Sequence, residues 1–208
     1  FAVDLNGSRP FTEAGDIVFS RIWRDDLEPD EPFAVDSIGN DIVPDKVEVA
    51  RYTEEPFRDK EGLYDAPYLF YFDKGENVIR LTGVRECAAV AGLTLYEEKQ
   101  PVSYAEYAAA VDTAAAAGQT IGYAQYYQAE RADEYSTTVL TATYDRGSAA
   151  TEPSSPSVIR RNTLGGSGWA YGGQWAKWTI EVPQDGYYKI ALKYKQNFVR
   201  GLYTSRSV

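Results

Sequence analysis

Three aromatic rings in and beside a glycine-rich stretch could bind a sugar. Trp169 and Tyr171 lie within residues 165–173, and Trp175 follows directly. An exposed ring can stack on the apolar face of a sugar while neighbouring polar groups bond to its hydroxyls, and glycines allow a loop to present such rings. The alternative is that Trp175, like Trp178, is a core aromatic residue of a strand. Both interpretations stay open at the level of sequence.

A second group of polar side chains could extend such a site. Gln196, Asn197 and Arg200 follow a strand-like run that ends at Lys195. Their amide and guanidinium groups could donate hydrogen bonds to sugar hydroxyls or to the carboxylate of an acidic sugar. The alternative is a solvated turn or a contact between modules.

Common catalytic systems are missing from the sequence. There is no histidine, which removes Ser-His-Asp triads, Cys-His pairs and His-ligated zinc. Paired carboxylates can hydrolyse glycosides, and the irregular stretch 24–66 is rich in them, but no apolar run there would raise a pKa. We therefore expect no enzyme activity and a solvated surface at Asp25, Asp26, Glu28, Asp30, Glu31, Asp36 and Asp41.

Composition narrows the class of protein further. The net charge of −10 disfavours nucleic acid as a partner. No apolar run is long enough for a membrane span. Cys87 is the sole cysteine, and we expect it to be a buried structural thiol. Acidic residues far outnumber basic ones up to about residue 101 and balance them afterwards, which suggests a domain boundary there.

The elements that would position these residues are predicted to be short strands. Apolar and polar residues alternate around a turn in both 68–83 and 174–195, which predicts two β-hairpins. Many short strands separated by Gly and Pro turns favour an all-β sandwich or jelly roll. Further strands are predicted at Phe1–Leu5, Ile17–Phe19, Val90–Leu95, Tyr123–Glu130 and around Arg206.

One helix is expected between the β segments. Ser103 and Glu106 have the spacing of a capping box, an alanine-rich run follows, and Gly118 provides a stop signal. We therefore predict a short linker helix near 103–117. It has too little apolar bulk to be a core element.

Several motifs together resemble the galactose-binding-like β-sandwich, and most closely carbohydrate-binding modules of families 35 and 6. In the second half these are Gln128-Ala129-Glu130, the run Gly172 to Trp178 and the run Val182 to Tyr188. In the first half they are Asp4 to Gly7, Arg9 to Ala14 and Phe70 to Leu81. Longer strings are similar to tandem modules of this kind in large extracellular solute-binding proteins of bacterial ABC transporters: Gly39 to Pro44, Val84 to Glu86, Ser103 to Tyr107 and Asn162 to Gly166.

The order of these motifs is reversed, and the resemblance implies a domain arrangement. Residues 1–98 would be the C-terminal half of one module, 99–118 a helical linker, and 119–208 the N-terminal half of the next module. Since the sequence contains no methionine, we expect the chain to be part of a longer protein. The two halves could pair with each other into one sandwich, with the strand near Arg206 leading into Phe1–Leu5.

The resemblance also implies function, location and a metal. The leading hypothesis is a non-catalytic accessory region of a cell-surface, extracellular solute-binding protein for sugar import, which contacts glycan and the remainder of its parent protein. The alternatives are a carbohydrate-binding module of a secreted glycoside hydrolase and a structural spacer without a ligand. Gln128 and Glu130 match the position that contributes to a structural calcium site in the resembling modules, and Asp133 and Glu134 could add oxygens. The alternative is a solvated carboxylate.

Overall fold

The computed structural model describes residues 1–64, 66–97, 99–110 and 122–195. These residues form a β-rich fold, with short strands in open sheets and little helix. The β-rich class predicted from sequence is confirmed, whereas a sandwich or jelly roll stays a prediction. The described strands are β1 (Ala2–Leu5), β2 (Trp23–Asp25), β3 (Lys46–Glu48), β4 (Ile79–Thr82), β5 (Glu134–Tyr135), β6 (Ala142–Thr143), β7 (Thr163–Leu164) and β8 (Ala176–Lys177).

Helical structure is limited to one α-helix and three single 3-10 turns in the described part of the chain. Helix α1 spans Tyr104–Ala110, and the predicted capping box is present at its start. The Glu106 carboxylate accepts hydrogen bonds from the Ser103 backbone N–H and hydroxyl, both at 2.8 Å, and the Glu106 N–H donates to Ser103 Oγ at 3.2 Å. The rest of the predicted helix, 111–117, lies outside the described residues. The 3-10 turns are Thr12–Gly15, Ala129–Arg131 and Gly166–Gly168.

The largest sheet joins strands from both halves of the sequence. Its order is β3-β2-β5-β8, and each neighbouring pair is antiparallel. Trp23 lies opposite Glu48 in one direction and opposite Tyr135 in the other, and Tyr135 in turn lies opposite Ala176. Two smaller sheets pair β1 with β4 and β6 with β7.

The chain divides into two compact units, each discontinuous in sequence. The first unit contains Phe1–Leu93 and Tyr127–Thr179, and the second contains Thr94–Tyr126 and Ile180–Val208. All three sheets belong to the first unit. The assignment of the two halves to separate modules stays a prediction.

Two hydrophobic clusters form the core of the first unit. The Val3 cluster consists of Val3, Ala14 and Ile17, with half-buried aromatic side chains such as Phe11 and Phe70 around it. The Tyr135 cluster consists of Ala132, Tyr135 and Leu140, against which Trp23, Leu164, Trp169, Ala176 and Trp178 pack. Full burial of an apolar side chain such as that of Leu140 stabilises a fold by roughly 1.5–3 kcal/mol. The Tyr135 cluster therefore supports the four-stranded sheet.

The predicted hairpin over 68–83 is only partly present. Tyr68 and Phe70 are half-buried against the Val3 cluster, whereas Leu69 and Tyr71 are exposed, so the predicted two faces exist. However, only Ile79–Thr82 is a strand, and it pairs with β1 rather than with residues 68–72. The hairpin prediction was therefore wrong, because β4 pairs with the N-terminal strand and residues 68–72 form no described strand.

The predicted hairpin over 174–195 was also wrong. The strand ends after Ala176–Lys177, and residues 178–195 have no described strand. Ile180, Ile190 and Leu192 are 55%, 79% and 70% exposed, so the alternating pattern has no buried face. An isolated two-stranded hairpin is marginal without a sheet or helix to cover it. β8 has such a neighbour in β5, whereas residues 180–195 contact the irregular segment around Tyr123, whose ring centroid lies 5.8 Å from that of Tyr188.

Other sequence predictions differ from the structure in smaller ways. Residues 1–5 contain the expected strand, but no strand is described at 17–19, 90–95 or 123–130. The strand predicted around Arg206 lies outside the described residues. Cys87 is exposed rather than buried. Its flanking residue Glu86 has a backbone φ of 58°, which is incompatible with the extended strand that was expected there.

Candidate functional site

The glycine-rich stretch forms an ordered loop, which we call the aromatic loop (residues 165–174). Gly165 and Gly173 have φ angles of 89° and 72°, values that a residue with a side chain rarely adopts. A Cβ atom on Gly168 would lie 2.6 Å from the carbonyl oxygen of Val139. The glycines are therefore required both for the path of this loop and for its close approach to a neighbouring segment.

The side chain of Gln174 holds the aromatic loop together. Its Oε1 accepts hydrogen bonds from the backbone N–H groups of Ala170 and Tyr171, both at 2.9 Å. Its Nε2 donates to the carbonyl oxygen of Gly168 at 3.0 Å. One side chain thus satisfies three backbone groups within seven residues, which fixes the loop before any ligand binds.

The three predicted sugar-binding aromatics differ in their placement. Trp169 packs against the Tyr135 cluster, and its indole Nε1 donates to the Gln174 carbonyl oxygen at 3.2 Å. Trp175 is half-buried, and its backbone exchanges hydrogen bonds with Ser136. Tyr171, in contrast, is 75% exposed. Trp169 therefore serves the core, and Tyr171 is the ring of this group that the loop presents outward.

The other predicted sugar-binding residues are Gln196, Asn197 and Arg200. They lie outside the described residues. Trp178 packs against the Tyr135 cluster, as the core alternative had it.

A second candidate site is an open cavity of about 410 Å³ in the first unit. Apolar side chains form part of its wall, and charged or amide side chains form the rest. Segments far apart in the sequence meet here, because residues 32–41 face residues 128–131 and 153–161. The lining residues are Pro32, Phe33, Val35, Asp41, Gln128, Glu130, Arg131, Pro153, Arg160 and Arg161.

Gln128 and Glu130 line this cavity, and each has one buried side-chain oxygen without a described partner. No hydrogen-bond partner exists among the described residues for Gln128 Oε1 or for Glu130 Oε2. Glu130 is 2% exposed, and its burial raises the pKa of the carboxyl group to about 7. A buried acceptor without a partner is costly, so these two oxygens are suited to a ligand that supplies positive charge or hydrogen-bond donors.

The remaining charged groups of the cavity are already engaged. Asp41 accepts from Arg160 Nη1 at 2.7 Å and from the Arg161 backbone N–H at 2.8 Å. The Arg131 guanidinium lies 3.9 Å from the ring centroid of Phe33 and donates to a backbone carbonyl. Asp41, predicted to be solvated, is in fact 7% exposed. Its partners are distant in sequence, so no local signal could have identified it.

Another residue of the acidic stretch is also part of the core. Asp25 lies 2.7 Å from Lys46 Nζ and accepts from the Tyr135 hydroxyl at 3.0 Å. Lys46 Nζ sits 3.2 Å from the centroid of the Tyr135 ring, and burial lowers its pKa. The expectation of a solvated Asp25 was wrong, because β2 places this side chain beside a buried cation.

The described part of the chain contains no group of three or more His, Cys, Asp or Glu side chains arranged to hold a metal ion. Nor does any helix in the described ranges have the length and apolar character needed to cross a membrane. Comparison of the chain with known protein families, curated proteins and solved structures found no match. The resemblance to galactose-binding-like modules therefore stays a prediction.

Proposed function

We propose that this chain is a non-catalytic accessory region of an extracellular solute-binding protein in an ABC sugar-uptake system, and that it contacts glycan through the aromatic loop. The observation that carries the proposal is the exposed ring of Tyr171 on a loop that Gln174 already holds in place. A fixed aromatic side chain loses little conformational entropy on binding, which is why such residues dominate recognition surfaces.

The proposed fold is a galactose-binding-like sandwich or jelly roll in which the two halves of the chain pair. The shared sheet of β2 and β5 supports this pairing. The same features are compatible with a carbohydrate-binding module of a secreted glycoside hydrolase. Genes beside the coding gene separate these alternatives, because a transport receptor is expected beside permease genes and a hydrolase module in one chain with a catalytic domain.

We further propose that Gln128 and Glu130 hold a structural calcium ion. Calcium binds through oxygen atoms, six to eight in all, and accepts carboxylate, amide and backbone carbonyl oxygens as well as water. The two buried oxygens without a partner fit the first two of these positions. When bound, the ion would supply the positive charge that these oxygens lack. The chain's own residues supply a carboxylate, an amide oxygen and an apolar wall. Three arginine side chains also line the cavity, and each donates to another group of the chain: Arg131, Arg160 and Arg161.

A glycan array with the wild-type chain and two variants tests the proposed binding. Tyr171→Ala is expected to lose the signal of the wild type, because the exposed ring is removed without disturbing the core. Tyr52→Ala is the matched control, since Tyr52 is similarly exposed at 73% but lies outside the aromatic loop. Wild-type chain that binds no glycan on the array, or a Tyr171→Ala variant that binds as well as the wild type, would refute the assignment.

A further inference from the structure

A second loop lies directly against the aromatic loop. We call residues 59–64 the Asp59 loop. A Cβ atom on Gly172 would lie 2.5 Å from the carbonyl oxygen of Glu61 and 3.0 Å from Gly62 Cα. Gly62 itself has a φ of 71°. The two loops therefore touch backbone to backbone, in an arrangement that no side chain at position 172 could enter.

The Asp59 loop is held in place by one side chain, as the aromatic loop is. The Asp59 carboxylate accepts hydrogen bonds from three backbone N–H groups: Glu61 at 3.0 Å, Leu63 at 2.6 Å and Tyr64 at 3.2 Å. These bonds, led by the one from Glu61, lower the pKa of Asp59. The carboxylate therefore stays charged at neutral pH and keeps the loop folded around itself.

Each of the two loops presents an exposed tyrosine side chain. Tyr64 is 59% exposed, its neighbour Leu63 is 81% exposed, and Tyr171 is 75% exposed. Tyr64 is two residues from Gly62, and Tyr171 is adjacent to Gly172. The backbone contact and the spacing of consecutive Cα atoms therefore keep the Cα atoms of the two tyrosines within about 16 Å of each other. Exposed rings on fixed backbone within this reach can contact one ligand.

We propose that Tyr64 and Tyr171 form a single two-loop platform that binds a neutral oligosaccharide. The inference rests on the proposed glycan-binding function and extends it to a second loop and to a charge class of ligand. A tyrosine ring has a negative face that attracts the weakly positive C–H groups of a sugar, and its hydroxyl can bond to the sugar hydroxyls. Two rings on separate loops favour a chain of sugars over a single one.

The net charge of the chain argues against an acidic sugar chain. Asp59 and Glu61 both lie in the Asp59 loop, and the intervening Lys60 is shared between Asp16 at 3.7 Å and Glu61 at 3.9 Å. The whole chain carries a net charge of −10. Next to the platform, Arg58 and Lys60 balance Asp59 and Glu61, so the discrimination comes from the net charge of the chain, which repels an anionic polysaccharide and not a neutral one.

Affinity electrophoresis of the full chain tests the platform directly. The gels contain either a neutral polysaccharide (starch, mixed-linkage β-glucan, galactomannan or arabinogalactan-free galactan) or an acidic one (polygalacturonate or alginate). We expect the wild type to be retarded by at least one neutral polymer and by neither acidic one. Tyr64→Ala and Tyr171→Ala should each raise the Kd about tenfold, as loss of one well-packed aromatic contact does.

Three further variants make the result specific. Tyr64→Phe and Tyr171→Phe keep the rings and should retain most of the retardation, and Tyr52→Ala should migrate like the wild type. Equal melting temperatures of all variants show that the exposed substitutions leave the fold intact. If one alanine variant has a lower melting temperature, its loss of binding is not counted. The test then rests on the phenylalanine variant at that position and on the alanine variant of the other tyrosine.

The outcomes separate this inference from the function on which it rests. If Tyr171→Ala weakens binding and Tyr64→Ala does not, the two-loop platform is wrong and the glycan-binding proposal survives. If the wild type is retarded by the acidic polymers instead, the neutral ligand class is wrong. If no polysaccharide retards the wild type, both proposals fail.

Discussion

Glu130 and Glu134 lie four residues apart in sequence, and both are buried. Their electrostatic environments are opposite. Glu134 accepts hydrogen bonds from Arg51, including one at 2.8 Å from Nη2, and from Lys177 Nζ at 3.2 Å. Its pKa is lowered, chiefly by the hydrogen bonds from Arg51. Glu130 has an oxygen with no described partner, and burial raises its pKa.

The difference between these two residues lies in how far the charge of each buried carboxylate is compensated by partners in the chain. A buried carboxylate that is fully paired repays its desolvation through its partners, and it holds β5 to β8 and to the segment around Arg51. A buried carboxylate left without a partner is unfavourable for the fold alone. At Glu130 burial raises the pKa of the carboxyl group to about 7, and the calcium ion that we propose there would supply the missing positive charge.

The largest expected effect comes from making Glu134 resemble Glu130. The double variant Arg51→Ala, Lys177→Ala removes both cations and leaves a buried carboxylate without compensation. We expect the free energy of unfolding at neutral pH to fall by about 3 kcal/mol. Urea denaturation measures the change.

The matched control for this double variant removes two cations whose ion pairs are exposed. Arg21→Ala, Lys60→Ala breaks pairs whose acidic partners, Glu48 and Asp16, have side chains 46% and 44% exposed, compared with 11% for Glu134. Such exposed pairs contribute at most about 1 kcal/mol. An equal loss of stability in the two double variants would mean that burial does not set the strength of the Glu134 pairs.

Calcium should act at Glu130 and leave Glu134 unaffected. For the wild type, a free calcium concentration about 100 times the Kd should add about 2.7 kcal/mol to the free energy of unfolding. Glu130→Gln should lose this gain, because the carboxylate that would bind the ion is replaced by a neutral amide. Thermal melting in calcium, in magnesium and in chelator provides the measurement.

Glu134→Gln is the comparison variant for calcium, and it should keep the full response despite its lower stability. Identical melting of the wild type in calcium and in chelator would eliminate the metal proposal. Such a result would leave the aromatic loop and its proposed ligand untouched, since no residue of that loop lines the cavity.

The smallest expected effect is the acid dependence of the Glu134 pairs. Because pairing lowers the pKa of Glu134 in the folded state, its contribution is complete above the unfolded-state value of about 4.3. That contribution is lost as the pH falls through the lower folded-state value. Between about pH 6 and about pH 3, the wild type should therefore lose about 1 kcal/mol more than Glu134→Gln. Urea denaturation at the two pH values measures this, and an equal loss in both proteins would contradict the assignment.

Some features of the candidate sites could be predicted from sequence because they depend on nearby residues. The Gly-rich stretch correctly indicated a loop with special backbone angles, and Tyr171 is exposed as a sugar-binding ring must be. The same reasoning placed Trp169 on the ligand side, and the structure puts it against the core. Both residues are aromatic and lie two positions apart in the same loop, so only the packing of Trp169 against the Tyr135 cluster distinguishes them.

The sequence by itself determined the capping box at Ser103, which joins residues three positions apart, and the β-rich class. The strand at Ala2–Leu5 was also predicted, although its partner Ile79–Thr82 is distant in sequence. Only the tertiary structure decided which carboxylates are paired, because Glu134 meets Arg51 across 83 residues and Asp41 meets Arg160 across 119. Only the tertiary structure also decided that the alternating pattern after β8 forms no strand. Whether a face is buried depends on which distant segment packs against it, and an alternating pattern carries no information about that partner.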